Sequence, residues 1–477
     1  MRVTRYSVPM PHEQPNILVI MSDEHDPRVS GCYGDRVVRT PRLDELASEG
    51  VTFDACCTTS PLCVPARLSF TAGQYISRVG AWNNSCRLPS PDGVTLPRVL
   101  AGAGYDPVLI GKQHYTKGWD YGFRVVGPQN RIDRIGRSDG RGHRRAADDT
   151  HVGIGGWASR SSDFRTGDTS EVLDHDRVVT EHACAFLGAR RREDGPFFLF
   201  VGHIAPHFPL VVPEEYAAAY AGRVPEADVD DARLATLPLN YQHLRRGFGL
   251  VGADGQLQQR GRELYWGLTH WYDGQVGMIL DALRASRVAD NTVVIYTSDH
   301  GENKGDHGMW WKNCMYEHSV RVPLIVRDPR RWPGGQRRSG ACSLVDVVRT
   351  ITELGGAATP DDWDGDSLLP VLDRADAPWK DTAVSEYYGH NIASGFAMLR
   401  QGSWKYVYHT PMDADHGSER ELYDLAADPG EWHNLAGEPD HAQRVAVMHR
   451  ALVSELGEEP DATEQRCRHD YARGYDA

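Results

Sequence analysis

Short apolar runs that end abruptly in polar, chemically capable residues recur along the chain. Asn16-Ile17-Leu18-Val19-Ile20-Met21 leads into Ser22-Asp23-Glu24, and Pro107-Val108-Leu109-Ile110 leads into Gly111-Lys112-Gln113-His114. Phe197-Phe198-Leu199-Phe200-Val201 leads into Gly202-His203 and then Ala205-Pro206-His207, and Thr292-Val293-Val294-Ile295-Tyr296 into Thr297-Ser298-Asp299-His300-Gly301. Runs without polar alternation read as strands buried on both faces, which is the mark of a parallel sheet. Between them, Thr40 to Ala47 and Tyr272 to Leu283 carry apolar residues at helical spacing. The alternation predicts an α/β fold whose strands end along one edge, where ligands bind. Groups far apart in sequence then meet at a single site.

Two stretches break the pattern. Gly118 to Arg177, rich in Gly, Arg and Asp, and Pro213 to Arg262 read as surface insertions that shape a pocket mouth. From about Thr382 the character changes to alternating segments such as Trp404-Lys405-Tyr406-Val407-Tyr408, which predict a smaller antiparallel sheet closed by a helix around Gln443 to Leu456. The polar tail after Pro460 is expected to be loose or to reach a neighbouring subunit. The chain thus divides into a catalytic unit at 1–380 and a smaller C-terminal unit at 381–477.

Composition narrows the function. In 477 residues, 66 acidic against 52 basic side chains give a formal charge of -14, which argues against a nucleic-acid binder or an anionic-membrane binder. Any anion site must be local. Nine cysteines without zinc-site or disulfide spacing fit a reducing, cytoplasmic setting. The first residues hold only a five-residue apolar run, which reads as neither a signal peptide nor a membrane span.

Asp23 and Glu24 after one strand, with Asp299 and His300 after another, bring three carboxylates and an imidazole to one point. Such a cluster repels itself, and a divalent cation relieves it. Oxygen-rich ligands favour Ca²⁺, while the imidazole keeps Mn²⁺ open. Lys112 and His114 share a face of an extended segment, and Lys312 in Trp310-Trp311-Lys312 joins them as candidates to bind an anion at that metal. His203 and His207 each read either as a structural histidine or as a site residue, with His207 the more constrained between Pro206 and Phe208-Pro209.

Cys63 raises a separate question. Pro65 lies in the first turn of the helix it opens and Arg67 stands one turn on, so Cys63 sits at a helix N-terminus beside a cation, a place suited to an anion. A cysteine phosphatase loop needs Arg six residues beyond its Cys, where this chain has Ser69, and no CxxC pair involves Cys56, Cys57 or Cys63.

Cys63-Val64-Pro65-Ala66-Arg67 resembles the C-x-P-x-R signature of type I, formylglycine-dependent sulfatases in the alkaline phosphatase superfamily, and the flanking motifs agree in order across about residues 15 to 435. The resemblance implies a mixed, largely parallel sheet flanked by helices, with a C-terminal α+β subdomain containing an antiparallel sheet. It implies conversion of Cys63 to formylglycine by a maturing enzyme, a metal held by Asp23, Glu24, Asp299 and His300, and sulfate contacts from Lys112, His114, His207 and Lys312. Arg67 is then the residue that holds the formylglycine. The choline-sulfatase and phosphonate-monoester-hydrolase branch is closest in look, and its pattern selects Asn84, closing the segment from Gln74, over Asn83 for substrate binding. Ala72 and Glu24 depart from the usual residues, Thr and Asp or Gln.

The expected activity is hydrolysis of a small sulfate monoester, with a phosphonate monoester or phosphodiester hydrolase as the alternative and a non-catalytic anion-binding protein as a further one. His203, Glu386, Tyr387, Tyr388 and His390 are candidates to line the pocket for the alcohol half, where an acidic, aromatic wall suits a cationic head such as choline and a sugar stands nearly level with it. A homo-oligomer, dimer or tetramer, is expected.

Overall fold

The computed structural model describes residues 14–129, 146–149 and 156–473; parts of the first expected insertion, 130–145 and 150–155, lie outside the described residues. All four apolar runs form strands, at Asn16–Asp23, Asp106–Gly111, Phe197–Pro206 and Thr292–Ser298. They lie side by side and parallel in the order Thr292–Ser298, Asn16–Asp23, Phe197–Pro206, Asp106–Gly111. Strand Arg321–Arg327 runs antiparallel between Thr292–Ser298 and Val51–Cys57, so the sheet is mixed and largely parallel.

Alternation along these strands feeds two cores. Leu18, Ile20, Ile110, Val201 and Tyr296 face helices Glu171–Ala189 and Gly255–Ala285. Ile17, Val19, Leu109, Phe200 and Ile295 face helices Cys63–Ala72, Leu96–Gly102 and Leu344–Leu354. Because both faces are covered, each strand is apolar throughout, which is why its period reads as continuous rather than alternating. No helix among the described residues is long and apolar enough to cross a membrane.

Strands Thr382–Tyr387, Phe396–Gln401, Trp404–His409 and Glu419–Asp424 form the antiparallel sheet in chain order. Ala397, Leu399, Tyr406 and Leu422 on one face pack against Met448 and Leu452 of helix Ala442–Leu456. Phe396, Met398, Val407 and Tyr423 on the other face join the core that also covers the large sheet.

Two expectations need correction. The polar tail is a helix, Pro460–Arg473, docked on its own chain: Trp82 donates to Asp470 at 2.8 Å, Arg466 donates to the Ser77 carbonyl at 3.1 Å, and Cys467 is fully buried. Its anchors are mostly polar, so no apolar stripe announces it. The stretch 213–262 is not confined to the surface either. Tyr241 and Leu244 are fully buried, and Asn240 accepts from the Ala393 amide at 3.0 Å, tying this stretch to the loop between the first two antiparallel strands.

Candidate active site

Register decides which residues meet. Met21 stands level with Thr297 on one side and Gly202 on the other, and Gly111 is level with Gly202. The polar residues that follow therefore share one edge. Gly111 has φ +88°, and a Cβ at either Gly111 or Gly202 would strike the backbone of the neighbouring strand, so the glycine pair lets Lys112 cross close to the Phe197–Pro206 strand.

Cys63 opens helix Cys63–Ala72 and is only 2% exposed. Its Sγ lies 3.2 Å from His300 Nε2 and 3.8 Å from Asp23 Oδ1. Burial and the Asp23 carboxylate push its thiol up to about 12. Asn84 accepts from the Val64 amide at 3.0 Å, capping the first turn of this helix. One turn on, the fully buried Arg67 donates to Asp299 at 2.7 Å, to Asp23 at 3.0 Å and to the Lys112 carbonyl at 2.9 Å. Its guanidinium stands behind both carboxylates and spends its donors on positioning them.

Lys112 Nζ is 2.6 Å from Asp23, and Lys312 Nζ is 3.0 Å from Glu24. His207 Nε2 is 3.3 Å from Glu24 and 3.8 Å from Asp23. The His207 Nδ1 is 2.5 Å from the Phe208 carbonyl, which can only accept, so Nδ1 carries the proton and Nε2 faces the cluster. His114 has a buried Nδ1 without a hydrogen-bond partner, and burial with Lys112 holds its imidazole well below the usual range.

The acids differ among themselves. Burial works against the Asp23 charge, but Lys112, His207 and Arg67 outweigh it and hold Asp23 well below the usual carboxylate range. Burial raises Asp299, with Arg67 opposing, and pushes Glu24 up to about 8 although Lys312 pulls the other way. Both Glu24 oxygens are buried without a directed hydrogen bond. One atom from each of Asp23, Cys63, Asp299 and His300 falls within 4.8 Å of the others, and Asp23, Glu24 and His207 form a second such group. Clustered buried carboxylate oxygens beside an imidazole fit a divalent cation. Glu24 groups with His207 and Lys312, whereas Asp299 and His300 group with Cys63; Asp23 belongs to both.

The backbone is strained where these side chains are aimed. Glu24 (φ 65°), His114 (φ 58°) and both neighbours of Lys312, Trp311 (φ 67°) and Asn313 (φ 85°), adopt left-handed conformations that non-glycine residues rarely take.

Two predicted residues stand outside this group. The strand expected to end at Val201 runs to Pro206, so His203 lies within it and faces the helices, 3.3 Å from Thr180 and edge-on to Tyr272. The residue beyond the true strand end is His207. Glu386 accepts from the Ser77 amide and hydroxyl at 3.3 and 3.0 Å rather than joining the cluster acids. Of its neighbours, Tyr387 is buried and accepts from Asn313 at 2.9 Å, while His390 stands edge-on to Phe248. Sequence reasoning passed over Glu302, whose carboxylate accepts from the amides of Trp311 and Lys304 at 2.5 and 2.8 Å and so shapes the loop that carries Lys312. Its place two residues after His300 was the available signal.

The family model described as Sulfatase matches residues 15–357, and one described as N-sulphoglucosamine sulphohydrolase, C-terminal, matches residues 305–458. The chain is 30% identical to the sulfatase YidJ of Escherichia coli (strain K12), over 92% of this chain and 87% of that one. It is 29% identical to a choline-sulfatase of Rhizobium meliloti (strain 1021), over 89% and 83% of the two chains. Among solved structures, the phosphonate monoester hydrolase of Agrobacterium radiobacter superposes with a TM-score of 0.75 at 25% identity, covering 93% of this chain and 95% of that one. A mixed sheet with a C-terminal antiparallel sheet, an intact C-x-P-x-R helix start and a match over most of the chain lead to one assignment: the chain belongs to the sulfatase family of the alkaline phosphatase superfamily and is a sulfuric ester hydrolase.

Proposed function

We propose that the protein hydrolyses a small-molecule sulfate monoester to an alcohol and inorganic sulfate, using formylglycine derived from Cys63 and one divalent cation. The observation that carries this reading is the convergence on Cys63: its Sγ is 3.2 Å from His300, beside Asp23, and Lys112 is salt-bridged to that same Asp23. Asp23, Glu24, Asp299 and His300 are the residues that would hold the cation, Ca²⁺ by their oxygen-rich set or Mn²⁺ with the imidazole. Once formed, the formylglycine hydrate would supply one hydroxyl to attack sulfur, its proton passing to Asp299, and a second whose deprotonation would release sulfate, and a bound cation would lower the hydroxyl pKa.

The remaining work falls to the chain's own side chains. Lys112 and Lys312 flank the cluster and hold the sulfuryl oxygens as charge builds on them. Lys312 is suited to this, because the Glu24 carboxylate at 3.0 Å and Asp23 favour its charge against burial. Arg67 keeps Asp23 and Asp299 in place from behind. His207, whose Nδ1 proton is held by the Phe208 carbonyl, turns Nε2 toward the leaving oxygen and delivers a proton there from its imidazolium form, which burial and Lys312 oppose and Asp23 favours, while neutral His114 takes the proton from the second hydroxyl. Conversion of a cysteine this deeply buried calls for a maturing enzyme that acts before the fold closes over it. Nine unpaired cysteines accord with a reducing, cytoplasmic setting.

A second reading, hydrolysis of phosphonate monoesters or phosphodiesters at the same site, is favoured by the likeness to a phosphonate monoester hydrolase. Peptide mass spectrometry at position 63, elemental analysis, and rates on alkyl sulfates, aryl sulfates and a phosphonate monoester test both. An active preparation with only thiol at Cys63 would sink the nucleophile, and faster turnover of the phosphonate would select the second reading. His207→Ala should slow alkyl sulfates by ~10²–10⁴-fold and activated aryl sulfates much less. Equal slowing of the two would remove His207 from the acid role.

A further inference from the structure

Lys312 is flanked on both sides by left-handed residues, Trp311 (φ 67°) and Asn313 (φ 85°). Such backbone persists only where the surroundings over-determine it. On the Trp311 side, two consecutive buried residues supply the constraint. Glu302 accepts from the Trp311 amide at 2.5 Å and from the Lys304 amide at 2.8 Å. Asn303 donates twice to the Trp311 carbonyl, from its own amide at 2.7 Å and from Nδ2 at 2.8 Å. Cys314 Sγ lies 3.4 Å from Asn303 Oδ1, which leaves Nδ2 for Trp311. Both hydrogen-bonding groups of the Trp311 backbone are thereby taken. On the other side, the Asn313 amide donates to the carbonyl of Pro61, two residues before Cys63, at 3.2 Å, and its Nδ2 donates to the Tyr387 hydroxyl at 2.9 Å.

From this clamp we infer that Glu302 and Asn303 are positioning residues for the reaction, which they serve by fixing the backbone from which Lys312 reaches the sulfuryl group. The inference rests on the role proposed for Lys312. A lysine carries a long flexible stem, so its ammonium is a poor fixed charge unless both ends of the stem are held. Here the clamp holds the base, and Glu24 at 3.0 Å holds the tip. A charge fixed before the reaction needs no reorganisation as negative charge builds on the transferring group. The Pro61 bond ties the same backbone to the loop that leads into Cys63, so the lysine and the nucleophile position are set relative to one another. The competing account is a direct one, because the Glu302 charge also acts on Glu24.

The test is a double-mutant cycle on the full-length, matured, cation-loaded enzyme, read in turnover of para-nitrophenyl sulfate. Glu302→Ala should lower kcat roughly 10²-fold, the scale of a small misplacement at a reacting group, with KM changed much less. Glu302→Gln removes the charge but keeps an acceptor oxygen for the two amides, and should recover most of that loss. In a Lys312→Met background, Glu302→Ala should cost nothing further within about twofold, because the lysine it positions is gone. A merely structural role would instead cost the same in both backgrounds, and that result would overturn the inference. So would a Glu302→Gln rate as low as that of Glu302→Ala, which would select the direct effect of charge. Should Glu302→Ala not fold, Asn303→Ala, which keeps its backbone bond to Trp311, carries the same cycle. If no sulfate ester is turned over, the cycle is read in calorimetric binding of inorganic sulfate. Coupling there keeps the positioning role and sinks the hydrolase reading, whereas additive losses, or no sulfate binding by the wild type, sink the inference as well.

Discussion

Two buried glutamates, Glu24 at the edge of the large sheet and Glu317 under the antiparallel sheet, meet opposite fates. Burial pushes Glu24 up to about 8, with Lys312 opposing and Glu302 and Asp23 adding to the rise. Burial acts on Glu317 too, but Arg400 at 2.6 Å and Lys405 at 2.9 Å hold it below the usual carboxylate range. Lys405 also reaches Glu431 at 2.6 Å and donates to the Met315 carbonyl at 2.8 Å, so two acids and two bases close on one another. The first cluster is the one proposed to take a cation, and the second is paired within itself. The contrast separates the proposed reactive site from a structural one, since both bring buried carboxylates together with lysine and arginine.

The largest expected effect lies in the open cluster. Asp299→Asn should lower turnover by on the order of 10⁴-fold or more, ~5.5 kcal/mol, and reduce cation stoichiometry in elemental analysis, with a loss of stability as well because the fully buried Arg67 loses one of its two carboxylate partners. Retention of both cation and rate would break the distinction. Next comes the closed cluster, where Glu317→Gln leaves Arg400 and Lys405 underpaired and should cost ~3–5 kcal/mol of stability while kcat stays close to the wild type. Because the folded-state pKa of Glu317 is depressed, its contribution is present above the ordinary value of about 4.3 and is lost as the pH falls below it. Denaturant melts at a series of pH values should show the gap between wild type and Glu317→Gln narrowing in acid. A gap that is constant down to pH ~3 would mean that packing, not charge, is what Glu317 supplies.

The sequence carried the open cluster better than the closed one. Asp23, Glu24, Lys112, Asp299 and His300 stand directly after unbroken apolar runs, and a parallel sheet brings such ends together, so local pattern and topology speak with one voice. Glu317, Arg400, Lys405 and Glu431 come from loops and strands of ordinary alternation, and only the folded register joins them. His203 and His207 mark the limit of run-end reasoning. The strand continues five residues past its apolar stretch, with Gly202 level with Met21 and Pro206 with Asp23 across a register shift, and this leaves His203 inside the strand while His207 faces the cluster. The helix Pro460–Arg473 was illegible for a related reason: it is anchored by hydrogen bonds from Trp82, Arg466 and Arg468 rather than by an apolar stripe.

The smallest effect concerns a third buried glutamate that belongs to neither cluster. Glu386 Oε2 accepts from Ser77, its Oε1 has no hydrogen-bond partner, and burial pushes the carboxyl up to about 8 although the Ser77 bonds favour the charge. Between the ordinary value of about 4.3 and about 8, the folded protein keeps a proton that the unfolded chain has released. Folding then takes up a proton, and stability falls as the pH rises through that window. A glutamine keeps the shape and the acceptor oxygen but cannot ionise. Glu386→Gln should therefore match the wild type near pH ~4, gain on it as the pH rises, and level off above pH 8 with an advantage of ~1–3 kcal/mol. Parallel pH–stability curves for the two proteins would show that Glu386 is already ionised in the folded state and paired in some other way, which would make it a third closed site rather than a neutral hydrogen-bonding group.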